Sequence, residues 1–237
     1  MLLVARENAL WDFPGKLLMA REVKKMALVR TDFSAQDDGF RFVNSFEFSF
    51  EFKLPFAGSI DLGHIVYGLC GGMCFAALDY FHAGNPVLAH TSVEDVEPEL
   101  RNYLWERQLD SLSLPVIPRV IEWMLRDDRH VGRLTAGREF PKLRRRLDKG
   151  SPAVLALIRG HGVDDPTQNH QVVTIGYDFD ETTRELTTYL YDPNHPGQEP
   201  SLTMNFARPS RGIDAAQSSE EPLRGFFVIA YKQQTPP

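Results

Sequence analysis

The chain carries two cysteines, Cys70 and Cys74, four residues apart in the stretch "YGLCGGMCFAALDYFHAGNP". Gly71 and Gly72 follow the first cysteine at the predicted start of a helix. A thiol must be partly ionised to act as a nucleophile, and the unpaired N–H groups at a helix N-terminus lower its pKa. The same N–H groups stabilise the oxyanion that forms when sulfur attacks a carbonyl. Cys70 is placed for this chemistry.

The two glycines weaken the turn in which they lie. Glycine costs roughly 1 kcal/mol relative to alanine in a helix interior. We interpret Gly71 and Gly72 as a steric requirement, because they remove side chains that would crowd a substrate or a neighbouring strand.

A nucleophilic thiolate needs an imidazole as general base, and the imidazole needs a carboxylate or amide to orient it. His170 begins the predicted strand "HQVVTIGY", from which its ring can project toward a helix terminus. Asp192 and Asn194 lie in "YDPN", at the end of the next predicted strand, and either could orient the ring. The sequence therefore offers Cys70 and His170 as a catalytic pair.

The elements that must position these residues follow from periodicity and from turn residues. The helix from Cys70 to about Ala83 ends at "GNP" and is expected to bury one stripe, formed by Met73, Ala77, Leu78 and Phe81. Further helices are predicted at 95–109, 115–127 and 138–148, and the apolar spacing at 16–30 is typical of a helix, with an early strand as the alternative.

Strands dominate the second half of the predicted fold. The run 152–158 lacks polar alternation and is typical of an interior strand, and 170–180 and 185–194 are predicted to form a hairpin. A last strand is predicted at 223–232, after a short polar stretch at 209–222. Before the helices, Phe46, Phe48, Phe50 and Phe52 alternate with polar residues within 40–56, the pattern of a half-buried strand. Helices followed by an antiparallel sheet predict an α+β fold with two layers that meet at a cleft.

Composition limits the classes of partner and the cellular compartment that we expect. The formal net charge of −6 argues against nucleic acid or an anionic membrane as the main partner. No apolar run approaches the roughly 20 residues of a membrane span, and the N-terminal segment does not have the pattern of a signal peptide. Two cysteines favour a reducing compartment over a disulfide framework. We expect a cytoplasmic protein that needs no cofactor, with export by a route without a cleaved signal as the alternative.

The motifs taken together resemble a known superfamily. "NHQVVTIGYD" resembles the histidine strand of papain-like cysteine peptidases, and "GSPAVLALI…HQVVTIGYD…LYDPN" is similar to the second half of bacterial C39-like peptidases. "GLCGGMCFAALD" resembles the helix start of bacterial papain-like proteins. The resemblance spans roughly residues 64–194. It implies one papain-like domain over 1–237, with an N-terminal extension at 1–63, a helical half at 64–149 and a β half at 150–237.

The resemblance also implies roles for individual residues. Cys70 would be the nucleophile, His170 the general base and acid, and Asp192 the orienting group of a peptidase or amidase that acts on a peptide or amide substrate. Papain-like enzymes usually carry a glutamine six residues before the nucleophile to complete the oxyanion hole. Here that position holds His64, which as a neutral imidazole could donate the same hydrogen bond or could be an ordinary loop residue.

Several alternatives remain open at this stage. "CFAA" would make Cys74 the nucleophile, with Gly68 at the glutamine position, whereas with Cys70 as nucleophile Cys74 is a small core residue. Both cysteines with His64 and His170 have a permissible spacing for a metal site. An acyltransferase resembling transglutaminases uses the same three residue types, and a papain-like binding protein without turnover is the remaining class.

Overall fold

The computed structural model describes residues 28–46 and 68–237, together with the backbone of two short strands between them. Seven of the described strands form one antiparallel sheet in the order β8-β7-β6-β5-β4-β9, with β1 paired to the far end of β5, and β2 and β3 form a separate hairpin. In chain order the strands are β1 Val29–Arg30, β2 Phe52–Leu54, β3 Gly58–Ile60, β4 Ala153–Ile158, β5 His170–Phe179, β6 Glu185–Tyr191, β7 Ser201–Asn205, β8 Asp214–Gln217 and β9 Gly225–Val228.

Five α-helices of the described residues precede β4. They are α1 Cys70–Ala83, α2 Pro98–Ser111, α3 Val116–Leu125, α4 Asp128–Leu134 and α5 Phe140–Leu147. The predicted α+β class is confirmed, since helices come first and an antiparallel sheet follows. Helix α1 ends at Ala83, and the following Gly84 caps it with a φ of 69°, a left-handed conformation that glycine adopts without strain.

The helices cover both faces of the sheet. Alternate residues of β4, Val154, Ala156 and Ile158, pack in one core with α1, α2 and α3. Their neighbours Ala153, Leu155 and Leu157 pack in a second core with α5. The expectation of two layers was therefore wrong. The missing polar alternation of 152–158 has a direct cause: both faces of this strand are buried.

Helix α1 is more deeply buried than one stripe would require. All residues from Gly71 to Tyr80 are buried, because α2 and the sheet enclose the helix together with the aromatic segment 33–46. In that segment Phe40 stacks edge-on against Tyr80 with ring centroids 6.1 Å apart. The amphipathic pattern expected for α1 is therefore wrong, and the helix is the centre of its core.

Other expectations also needed correction. Residues 40–46 are not a strand, although Phe40, Phe42 and Phe46 are buried. Within the described part of 40–56 a strand occurs at β2, whereas 47–51 and 55–57 lie outside the described residues. Residues 29 and 30 form β1, the alternative to a helix at 16–30, whereas 16–27 lie outside the described residues.

Local patterns missed α4, a π-helical turn, β7 and β8. Helix α4 and the π-helical turn Thr135–Glu139 precede the predicted 138–148 helix, and β7 and β8 were not predicted. β8 lies inside the polar stretch 209–222.

The outer edge of β9 is capped by side chains. The Phe226 N–H donates to the Thr135 hydroxyl at 3.3 Å, and the Val228 N–H donates to the Glu139 carboxylate at 3.1 Å. Both acceptors come from the π-helical turn. An edge strand whose N–H groups are already bonded cannot readily pair with another chain.

A buried ion pair fastens the C-terminal segment to α1 and α2. Asp79, with no exposed surface, accepts hydrogen bonds from Arg107 Nε at 2.7 Å and from the Tyr231 hydroxyl at 2.7 Å. The Tyr103 hydroxyl and the Gln234 N–H donate to the same carboxylate. Two of these donors lie in α2 and two in the C-terminal segment, so Asp79 links α1 and α2 to residues 231–234.

We expect Arg107→Leu to lower the free energy of unfolding by about 3–5 kcal/mol, since it leaves the Asp79 carboxylate buried without its cation. Urea denaturation measures the loss, and the exposed Arg129→Leu is the control, expected within about 0.5 kcal/mol of wild type. A change in Arg107→Leu no larger than that of the control would contradict the assigned role of the pair.

The glycines of α1 allow α2 to approach closely. A methyl group at Gly72 would lie 2.2 Å from the carbonyl oxygen of Leu104, and one at Gly71 would lie 2.1 Å from the Ser111 hydroxyl. The Gly72 N–H donates to Gln108 Oε1 at 2.7 Å. The close neighbour implied by the sequence is therefore a helix on one side, with the side chain of Gln171 from β5 beside it.

We expect Gly72→Ala to destabilise the protein although alanine favours helices. The gain in helix propensity is about 1 kcal/mol, whereas overpacking against a backbone carbonyl costs about 1–3 kcal/mol and breaks the bond to Gln108. Gly137→Ala is the matched control, because nothing lies within 4 Å of its added methyl group. Denaturation midpoints that fall for Gly137→Ala but not for Gly72→Ala would refute this explanation.

Candidate active site

Three chain segments bring Cys70, His170 and Asp192 together. Cys70 is the first residue of α1, His170 is the first residue of β5, and Asp192 directly follows β6. The antiparallel register pairs Val173 with Tyr191, which brings the end of β6 beside the beginning of β5. Helix α1 packs against β5, so its N-terminus reaches the same place.

The imidazole lies between the carboxylate and the thiol. His170 Nε2 is 2.7 Å from Asp192 Oδ1, and the side chain of His170 also hydrogen-bonds to that of Cys70. Because Nε2 faces the carboxylate, Nδ1 is the ring nitrogen left for the sulfur. His170 is 5% exposed and Asp192 is fully buried, whereas Cys70 is partly exposed. The sulfur is thus the member of this constellation that solvent reaches.

Opposing effects set the charge of the thiol. Burial by itself would raise the pKa of the Cys70 thiol, but the hydrogen bond and positive charge of His170 bring this pKa below its ordinary value. The backbone N–H groups of Gln171 and Gly71 lower the pKa further by donating to the sulfur. The first turn of α1 therefore contributes directly to the thiolate.

The pKa of the His170 imidazole is raised, and the pKa of the Asp192 carboxyl group is lowered. Desolvation would lower the pKa of His170, but the charge of Asp192, the hydrogen bond to it and the interaction with Cys70 raise it to about 10. Burial would raise the pKa of Asp192, but the charge and hydrogen bond of His170 hold it below its ordinary value. Together these shifts favour the form with a thiolate, an imidazolium and a carboxylate.

Cys74 lies in a different environment, although it is only one turn away. It is fully buried, and its thiol donates to the carbonyl oxygen of Gln171 at 3.4 Å. Burial and the negative charges of Cys70 and Asp192 raise the pKa of the Cys74 thiol well above its ordinary value. Both cysteines are free thiols. The geometry therefore favours Cys70 over Cys74 as the ionised sulfur.

The two secondary candidates from the sequence have different outcomes. Asn194 does not face the imidazole: its backbone N–H donates to Asp192 Oδ1 at 2.9 Å, and its side-chain oxygen accepts from Asn44 at 3.1 Å. Asp192 is thus the group that orients His170. His64 lies outside the described residues.

A second set of polar residues surrounds Asp192, and sequence reasoning missed it. Gln217 Nε2 donates to Asp192 Oδ2 at 3.3 Å, and Arg159 Nη2 donates to Gln217 Oε1 at 2.9 Å. Glu221 lies 3.9 Å from the same Arg159 nitrogen and 3.2 Å from His195. Gln217 belongs to β8, whose pairing is long-range and leaves no local pattern to detect.

The described residues contain no group of three or more His, Cys, Asp or Glu side chains arranged to hold a metal ion. Within the same part of the chain, none of the helices is long and apolar enough to cross a membrane. Comparisons with protein-family models, with curated proteins and with solved structures found no match to this chain. The function must therefore be argued from the geometry itself.

We expect iodoacetamide to alkylate Cys70 with an apparent pKa clearly below about 8.5, the free value. Cys74 should stay unmodified in the folded protein, because it is buried and protonated. In His170→Ala the rate at neutral pH should fall, since the thiol loses the hydrogen bond and the positive charge that lower its pKa. Peptide mapping of the alkylated protein identifies the site. Alkylation of both cysteines only at the free value would show that no thiolate forms.

Proposed function

We propose that this protein is a cysteine hydrolase with a papain-like arrangement, which cleaves an amide or ester through a thioester acyl-enzyme. The observation that carries the proposal is the partly exposed Cys70 thiol in contact with His170, which Asp192 holds at 2.7 Å. A lowered thiol pKa beside a raised imidazole pKa is typical of an activated nucleophile. Cys70 is the nucleophile, His170 the general acid and base, and Asp192 the orienting group.

The first half of the reaction forms the acyl-enzyme. The Cys70 thiolate attacks the carbonyl carbon of the substrate, and the electron pair of the C=O bond moves to oxygen. The N–H of Cys70 lies ahead of the intrahelical hydrogen bonds of α1 and can donate to that oxygen. The imidazolium of His170 then gives its proton to the leaving nitrogen or oxygen, the C–N or C–O bond breaks, and a thioester remains.

The second half releases the acyl group. Neutral His170 takes a proton from water as the water oxygen attacks the thioester carbonyl, and the sulfur leaves as a thiolate paired with the imidazolium. Asp192 remains ionised throughout and keeps the Nε2–H of the ring directed away from the sulfur. An amine in place of water would give acyl transfer, so the acceptor decides between a hydrolase and a transferase.

The antiparallel sheet and the central helix support a papain-like arrangement. Nucleophile and base come from different layers: the helix supplies the sulfur and the sheet supplies the ring. The order Cys, His, Asp along the chain also matches the resemblance found in the sequence. A peptide or other amide is the substrate class that this chemistry suits.

The test is the covalent intermediate. Wild-type protein is incubated with an activated ester and with a panel of peptide amides, and the acyl group on the peptide that contains Cys70 is found by mass spectrometry. We expect Cys70→Ala to lose turnover on the order of 10⁴-fold or more, as when a catalytic nucleophile is removed. Cys74→Ala is the matched control and should retain activity, with a loss of stability from the missing core sulfur.

Added hydroxylamine or a primary amine separates the outcomes. Acyl-enzyme that turns over in water alone identifies a hydrolase, and turnover only with the amine identifies a transferase. A Cys70 that forms no thioester with any ester or amide, while folded, would leave a binding protein as the function.

A further inference from the structure

The carboxylate of Asp192 is held by a relay of two side chains that take no part in the chemistry. Asp192 Oδ1 accepts from His170 and from the Asn194 N–H, and its other oxygen, Oδ2, accepts from Gln217. Hydrogen bonds that a buried carboxylate accepts favour its ionised form and fix its orientation. The side-chain donor to Oδ2 comes from Gln217, which is 5% exposed.

Arg159 fixes which end of the Gln217 amide faces Asp192. An amide has a donor end and an acceptor end of the same shape, so that it can turn over in its site. A guanidinium can only donate, and an ionised carboxylate can only accept. Gln217 lies between the two, with Oε1 at 2.9 Å from Arg159 Nη2 and Nε2 at 3.3 Å from Asp192 Oδ2. Turning the amide over would place its NH₂ group against the guanidinium and its oxygen against the carboxylate, so that neither hydrogen bond could form.

Arg159 is itself held in place. Its side chain is 9% exposed, its backbone N–H donates to Asn169 at 2.9 Å, and Glu221 lies 3.9 Å from Nη2. The same carboxylate oxygen of Glu221 also contacts His195 Nε2 at 3.2 Å, so Glu221 is held from two sides. The guanidinium therefore has a fixed position directly after β4, at the same end of the sheet as His170, which begins β5.

We propose that Gln217 and Arg159 are positioning residues: Gln217 locks the rotation of Asp192, and Arg159 locks the orientation of Gln217. Through Asp192 they keep His170 aligned with Cys70. This proposal rests on the proposed function for its purpose, but its test measures the thiol and the imidazole without any substrate.

The first measurement is the pH profile of Cys70 alkylation. Gln217→Leu removes the donor to Oδ2, and we expect the thiol pKa to rise by about one unit, which slows alkylation about tenfold at a pH below both values. Gln217→Glu keeps the shape but replaces the donor with a second negative charge, and should slow alkylation at least as much. Gln198→Leu, at an exposed glutamine of the loop after β6, is the control and should behave as wild type.

The second measurement is the proton NMR signal of the His170 Nε2–H, which its bond to Asp192 protects from exchange with water. We expect the signal in wild type and in Gln198→Leu, and its loss or strong broadening in Gln217→Leu. A residue that merely stabilises the fold would change the denaturation midpoint and leave both this signal and the thiol profile in place. That result for both Gln217 variants would overturn the proposal.

A double-mutant cycle tests the role of Arg159. Arg159→Lys keeps the charge, but the lysine side chain is one atom shorter than the path to Nη2 and is expected to lose the bond to Gln217 Oε1. We expect it to slow alkylation several-fold in the wild type and not at all in Gln217→Leu. Equal effects in both backgrounds would show that Arg159 acts through its own charge and would overturn the relay. A wild-type Cys70 thiol pKa at the free value would contradict the proposed function. A lowered wild-type thiol pKa that stays the same in the Gln217 and Arg159 variants would contradict the relay alone.

Discussion

The contact between the Cys70 sulfur and the His170 ring joins helix α1 to strand β5 and is the interaction on which the site depends. It requires the N-terminus of α1 to lie against the beginning of β5, within reach of the Gln171 N–H. That approach in turn requires a first turn without side chains, because Ser111 and Leu104 of α2 occupy the space where Cβ atoms at Gly71 and Gly72 would lie. The weakest helix-forming residues thus stand where the helix is most tightly enclosed.

Two fully buried carboxylates illustrate how the same group serves two purposes. Asp79 is surrounded by an arginine, two tyrosine hydroxyls and a backbone N–H, and these partners fasten the C-terminal segment. Asp192 has an imidazole, a backbone N–H and an amide, and its cation is the ring that contacts the thiol. The first carboxylate faces a permanent cation, whereas the second faces a group that can give up its proton. Only the second arrangement suits acid–base chemistry.

Much of this arrangement could be predicted where the signal is local. Glycine at the end of α1, the uniform apolar run of β4 and the polar turn between β5 and β6 each determine their element within a few residues. The pairing of Cys70 with His170 and Asp192 followed from residue types at the ends of those elements. Asp192 rather than Asn194 as the partner of the ring could not be decided, because both lie in one short turn.

What could not be predicted depends on contacts distant in the chain. β8 has only four residues and is specified by its pairing with β7, so Gln217 appeared to belong to a polar loop. Phe40 and Phe42 are buried without being in a strand, because they pack against α1 and against each other. The cover on both faces of the sheet likewise depends on where α5 packs, which its own sequence does not specify.

The protonation state of His170 tests the central claim most directly, and ¹⁵N NMR of its ring nitrogens in wild type and in Cys70→Ala measures it. The account predicts that both nitrogens carry protons at neutral pH in wild type, with a pKa near the value of about 10 that Asp192 and Cys70 impose, and that this pKa falls when the sulfur is removed. A ring that titrates near its ordinary value of about 6.5 in both proteins would contradict the account, because no ion pair would then exist.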